Sequence, residues 1–280
     1  MKSQHRIAFC TDFSPNASTA LDSLLFSIWN YNLGIDIIHL IEDNEKETLR
    51  KIDELRESLK HHEDHIGLIE FFTFKADEKH NLLDHLNSDK YIYVELGLKG
   101  KNQKKGLGDF IKSVYTKVKE DIVVVPPRRT QSIDNRIVLF LEKEHINYLY
   151  LIRRYSNFLQ FNFCRLTMIF MSSEVSNQSE LEAYEKQVKE IIPGLSNKVH
   201  ILNKEKCGSL LLNMVKEKKQ DIYVFFSNDY FNDLIFKFLE DSLTSNEFDT
   251  PFMRLSTSPE RVELYKTPSG NEDRVRLKDF

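Results

Sequence analysis

Two hydrophobic periods alternate along the first 125 residues. Short apolar runs at Ile7–Cys10, Ile35–Ile41, Ile66–Phe74, Tyr91–Leu96 and Ile122–Val125 have the length and composition of strands. Between them the spacing turns helical. A helix is predicted over Ala17–Asn32, with Leu21, Leu24, Leu25, Ile28 and Trp29 on one stripe and Gly34 placed to close it as a C-cap. A charged helix follows over Glu45–His61, with Leu49, Ile52, Leu55 and Leu59 turned inward, then helices over His80–Leu86 and Leu107–Lys119. Pro126 and Pro127 stop the last strand. Alternating strand and helix predicts βαβ units and a parallel sheet, an α/β fold.

The pattern then starts again. Arg6-Ile7 recurs as Arg136-Ile137, and Ile92-Tyr93-Val94 as Ile222-Tyr223-Val224, both at the same offset of about 130 residues. The chain therefore reads as two copies of one domain, 1–130 and 131–257, joined near Pro126–Thr130 and followed by a polar tail, 258–280. In the second copy, strands are predicted at Ile137–Leu141, Phe163–Met171, Val199–Leu202, Ile222–Phe226 and Phe252–Leu255. Helices are predicted at Ile146–Asn157, Glu180–Ile192, Ser209–Lys216 and Phe231–Leu239. Sheet edges need cover, so strands Ile122–Val125 and Phe252–Leu255 are expected to lie close, making an intrachain pseudo-dimer.

Composition narrows the partners. With 39 Lys+Arg against 43 Asp+Glu and a net charge of −4, there is no global basic field, so nucleic acid is not an expected partner. Three scattered cysteines without CxxC spacing fit reduced thiols, not a disulfide frame or zinc site. No apolar run approaches membrane-spanning length, and a soluble cytoplasmic protein is expected.

Candidate chemistry lies where strands end, since ligands of open parallel sheets bind beyond the carboxyl ends. Thr11-Asp12-Phe13-Ser14 follows the first strand and Gly97-Leu98-Lys99-Gly100 the fourth. Glycines before a helix expose backbone N–H groups to a phosphate, and Lys99, Lys101, Lys104 and Lys105 add positive charge. The same residues also suit a solvated turn. Three other groupings have plainer readings. His61, His62, Glu63, Asp64 and His65 hold ligand-type side chains, but histidines also favour a helix C-terminus. Ser14 before Pro15 is an N-cap and not a nucleophile, because no G-x-S-x-G elbow is present. Phe71, Phe72, Phe74, Tyr91 and Tyr93 read as packing in preference to a base-stacking platform.

The segments RIAFCTDFSPNASTAL, GIDIIHLIE and GLKGKNQKKGLGDFIKSVYTKVKEDIVVVP resemble a universal stress protein, and the doubled pattern resembles the family's tandem members. The resemblance implies two flavodoxin-like (Rossmann-like) domains, each a five-stranded parallel sheet of order 3-2-1-4-5 flanked by helices. It also implies pairing through the last strand, within the chain or in a homodimer. Many members bind ATP through an Asp after strand one, backbone at the end of strand two, and a loop G-x-x-G-x9-G-[ST]. Asp12, then Leu40 and Ile41, then Gly97 and Gly100 match these elements. Gly108 takes the third glycine after a spacer about two residues short, and Asp109 stands where Ser or Thr would bond a phosphate. A carboxylate there repels triphosphate, or caps the following helix. At the repeat offset the second copy has Glu142, Ser227 and Tyr230 for Asp12, Gly97 and Gly100, so no nucleotide is expected there.

Two functions follow. One is a non-enzymatic stress-response regulatory or interaction protein, its ATP site degenerate in the first domain and lost in the second. The other is an adenine-nucleotide sensor with a single ATP or AMP site in the first domain. No catalytic or metal residues are assigned.

Overall fold

In the computed structural model, the described residues are 6–29, 33–41, 44–62, 65–88, 90–98, 109–126, 136–142, 165–172, 178–191, 197–216, 221–227, 232–237 and 251–257, with His145, Tyr148 and Leu151. The chain forms two compact units that part between Arg129 and Thr130.

The first unit carries β1 (Arg6–Thr11), α1 (Pro15–Ile28), β2 (Gly34–Ile41), α2 (Glu45–Leu59), β3 (Ile69–Lys75), α3 (Lys79–Leu86), β4 (Tyr91–Gly97), α4 (Asp109–Lys117) and β5 (Asp121–Val125). Its strands are parallel and ordered β3-β2-β1-β4-β5. Central β1 is apolar on both faces because helices cover both: Ile7, Ala8 and Phe9 are fully buried. Ile7, Phe9, Ile35 and Ile37 pack with Ala17, Ala20, Leu21, Leu24, Leu25 and Ile28 of α1 and Leu59 of α2. The alternate residues Arg6, Ala8 and Cys10 point the other way, as pleating requires.

Four details differ from the sequence reading. Gly34 is not the cap of α1, which ends at Trp29; it opens β2 opposite Arg6. A Cβ on Gly34 would stand 2.8 Å from Nη1 of Arg6, so the absent side chain makes room for that guanidinium. Leu49 is 51% exposed, not inward. The buried stripe of α2 runs through Thr48, Ile52 and Leu59, and Leu49 lies one residue, about 100°, round the helix. Trp29 likewise leaves the α1 stripe, stacking on His65 at 4.2 Å and meeting His62 edge-on at 5.5 Å. Finally, β3 begins at Ile69 instead of Ile66; Ile66 is buried in the preceding turn, where Gly67 N–H donates to the Leu33 carbonyl.

The second unit carries β6 (Arg136–Glu142), β7 (Arg165–Ser172), α5 (Gln178–Ile191), β8 (Asn197–Asn203), α6 (Cys207–Lys216), β9 (Asp221–Phe226), a helix α7 at 232–237 and β10 (Phe252–Leu255). Its order is β10-β9-β6-β7-β8, all pairs parallel, the same arrangement as in the first unit. The helix expected over Ile146–Asn157 and the tail 258–280 lie outside the described residues.

Candidate functional site

Three segments meet at the carboxyl ends of β1, β2 and β4. At the end of β1 the chain turns sharply: Phe13 has φ of 56°, a left-handed conformation uncommon for a bulky residue. Local side chains hold it there. Phe13 N–H donates to Thr11 Oγ1 at 3.0 Å, and Ser14 N–H donates to Asp12 Oδ1 at 3.0 Å. Ser14 then caps α1, its hydroxyl accepting from Ala17 N–H at 3.2 Å with Pro15 next in the chain. The expected N-cap is confirmed.

Gly97 ends β4 beside this turn. A Cβ there would lie 3.3 Å from the backbone of Asn16 and from Ala17 N, so glycine permits β4 to approach the start of α1. Leu98 is buried, and its N–H donates to the Val125 carbonyl at 2.8 Å. On the other side β2 outruns β1: Thr11 pairs with His39, leaving half-buried Leu40 and Ile41 beyond, opposite Phe74 and Lys75. Asp12, Leu40, Ile41 and Gly97 therefore share one end of the sheet. Asp109 is the first residue of α4, while Gly100, Gly108 and the four lysines of the loop lie outside the described residues.

One member of this group escaped the sequence reading. His39 Nδ1 lies 2.7 Å from the Thr11 carbonyl, as a donor would, and its ring is 4.6 Å from that of Phe13. The available signal was a polar residue at the carboxyl end of a strand whose only other polar residue is Asp36. The aromatic residues of β3 serve packing, as expected: Arg56 lies over Phe71 at 4.9 Å, and Phe72 is 4.7 Å from the His85 ring. No group of three or more His, Cys, Asp and Glu suited to a metal occurs among the described residues.

The corresponding end of the second unit is built differently. Glu142 ends β6 and is buried, and its N–H donates to His145 Nδ1 at 2.9 Å. The His145 ring, also buried, stacks on Phe226 at 5.2 Å. Ser227 N–H donates to the Leu255 carbonyl at 2.8 Å; Tyr230 lies outside the described residues.

A second polar group sits at the opposite end of the first unit's sheet. Asp36 of β2, fully buried, accepts from Arg6 Nε at 2.6 Å, Lys90 Nζ at 2.9 Å and the Tyr91 hydroxyl at 2.7 Å. Arg6 also pairs with Glu70 at 2.9 Å and donates to the Ile35 carbonyl at 3.2 Å. Burial alone would push the Asp36 carboxyl up; the bonds from Arg6, Lys90 and Tyr91 outweigh it and hold the group below the usual carboxylate range. Burial, with the bond to Asp36, pushes the Tyr91 hydroxyl up.

No family model matches the chain, and no curated protein matches it in sequence. Solved structures do match. A universal stress protein from Archaeoglobus fulgidus superposes with a TM-score of 0.64 at 14% identity, over 90% of this chain and 98% of that one. A putative universal stress protein from Pseudomonas aeruginosa gives 0.58 at 11% identity, over 95% and 98%. The cytoplasmic domain of a prokaryotic cation chloride cotransporter gives 0.57 at 15% identity, over 94% and 100%. Among the described residues no helix is long and apolar enough to cross a membrane. With its parallel sheets flanked by helices and these neighbours, the chain has the α/β fold of the universal stress proteins.

Proposed function

We propose that this is a non-enzymatic stress-response protein of universal stress type, acting through binding, with an altered nucleotide site in the first unit and none in the second. The observation that carries this reading is the contrast between the two sheet ends. In the first unit Asp12, Gly97 and the start of α1 converge, but Asp12 already accepts the Ser14 N–H and Ser14 already caps the helix. Neither group is arranged as an acid–base pair or an activated nucleophile. In the second unit His145 takes up the backbone N–H at the end of β6 and stacks on Phe226.

The convergence of Asp12, Leu40, Ile41 and Gly97 favours a second reading, an adenine-nucleotide sensor with one site in the first unit. Calorimetric titration of the full chain with ATP, ADP and AMP separates the two. Absence of heat and of any thermal shift at millimolar nucleotide supports the first reading, and saturation at one nucleotide per chain supports the second. Saturation at two per chain contradicts both.

A further inference from the structure

β3 is the outermost strand of the first unit, and among the described residues it pairs only with β2. Its backbone groups can be assigned to sides. Ile35 N–H donates to the Leu68 carbonyl at 3.0 Å, and the pairing then runs without a shift from Ile35 and Ile69 to Ile41 and Lys75. Successive residues of a strand turn their backbone groups to alternate sides. Those of Glu70, Phe72 and Phe74 therefore meet β2, and those of Ile69, Phe71, Thr73 and Lys75 turn outward. Lys75 agrees: its N–H, the last of the outward row, donates to Glu78 Oε2 at 3.0 Å. Among the described residues nothing bonds the outward N–H and C=O groups of Ile69, Phe71 and Thr73.

An open row of this kind is normally blunted by proline, a bulge, a charge within the strand or shortness. β3 has seven residues, IEFFTFK, with no proline and no shift in its pairing, and its charges, Glu70 and Lys75, stand towards its two ends. Phe72 and Phe74 pack on one face against the His85 ring, at 4.7 and 5.4 Å, and Phe71 packs on the other beneath Arg56 at 4.9 Å. All three stay half-buried, and Thr73 among them is exposed. β8 holds the same outermost place in the second unit, yet its sequence, NKVHILN, has no phenylalanine and carries an exposed His200 at its centre.

A second copy of the chain fits the β3 edge. A row of alternating donors and acceptors, turned about a twofold axis, meets itself antiparallel with each N–H facing a C=O. Charge chooses the direction and the register. Glu70, its side chain 42% exposed, lies near the start of the strand and exposed Lys75 at its end. A parallel copy sets like charges together. An antiparallel copy centred on Phe72 sets Lys75 opposite Ile69 of the second copy, next to its Glu70. Phe71 then lies opposite Thr73 of the second copy. The N–H groups of Ile69, Phe71 and Thr73 face the carbonyls of Lys75, Thr73 and Phe71 across the axis. The donor of the row left over is Lys75 N–H, already taken by Glu78. Phe72 meets its own counterpart in the closer of the two antiparallel spacings, where aromatic pairs contribute most.

We infer that β3 is a self-association edge, through which two copies of the chain pair antiparallel over Ile69–Lys75 and cover the phenylalanines on both faces. This edge lies across the first unit's sheet from β5, the last strand through which the family resemblance implies pairing.

Sedimentation velocity of the full chain from about 1 μM to about 300 μM tests this, and monomer should give way to dimer across that range. Amide exchange at the two ends of the range should show Phe71 and Thr73 gaining about tenfold or more in protection at the higher concentration, with α1 unchanged. Thr73→Pro removes an outward donor without touching the β2 ladder, and takes one bond from each copy. Its dimer dissociation constant should rise about tenfold or more. Thr73→Lys keeps the donor but sets an ammonium opposite Phe71 and its Arg56, and should weaken the dimer similarly. A chain that stays monomeric at the highest concentration would overturn the proposal. So would Phe71 and Thr73 amides whose protection ignores concentration, or a dimer that either variant, folded as the wild type by circular dichroism, leaves as stable as before.

Discussion

A carboxylate with no solvent exposure is stable only when its partners replace water, and Asp36 shows how far apart in sequence those partners can be. Arg6, Lys90 and Tyr91 stand 30, 54 and 55 positions away. The charged residue inside GIDIIHLI was visible in the sequence; its partners were not, because they come together only through the β1–β2 and β1–β4 pairings. Arg6→Ala should therefore cost about 3–5 kcal/mol in urea denaturation, since it strands a buried charge. Asp36→Asn tests the sign of the pH dependence. The folded carboxyl binds its proton more weakly than the unfolded one, so its bonds contribute fully above about pH 4 and lose that contribution as pH falls further. The substitution should flatten that acid limb; a limb unchanged in slope would place the effect elsewhere. Cys10 offers a simpler check on the same face. Burial pushes its thiol up to about 12, so iodoacetamide near neutral pH should label it only beyond the unfolding midpoint.

Hydrophobic period located the strands and helices well, because burial on one or both faces is written directly into the spacing. It failed where a position serves a neighbour distant in sequence. Gly34 looked like the end of α1 because glycine commonly ends helices, yet its function is to clear space for Arg6. Leu49 looked like core, but Thr48 fills the stripe position. At the site, Asp12, Leu40, Ile41 and Gly97 were legible as strand ends. His39 was not singled out, because its contact is with the Thr11 carbonyl of the adjoining strand. At this scale Ser14→Ala should cost about 1 kcal/mol, leaving the Ala17 N–H without its acceptor, whereas Leu49→Lys should stay within about 0.5 kcal/mol. Thermal unfolding of the two variants side by side gives the comparison, and equal losses would contradict the assignment of Leu49 to the surface.

The two units share one strand order, but the offset of about 130 residues read along the sequence does not carry over into their strand register. In the first unit Arg6 pairs with Tyr91 and Ala8 with Val94, so one residue of β1, Ile7, lies opposite two of β4, Ile92 and Tyr93. In the second, Arg136 through Phe140 pair with Asp221 through Phe225 without a shift. The residue opposite Ala8 is therefore Val94, while the residue opposite Val138 is Tyr223, and side chains that match in sequence do not match in place. The difference bears on what a single substitution can restore. Removing the imidazole by His145→Ala leaves the Glu142 N–H without its acceptor and Phe226 without its stack, at a cost of about 1–3 kcal/mol. It does not bring back a glycine at the end of β9, where Ser227 bonds the Leu255 carbonyl, nor an exposed carboxylate, since Glu142 is itself buried. The number of nucleotides bound per chain should thus be the same in His145→Ala as in the wild type, with only stability reduced. Calorimetry and denaturation on the same preparation check both halves, and one additional nucleotide per chain in the variant would show that the His145 ring alone had been closing a competent site.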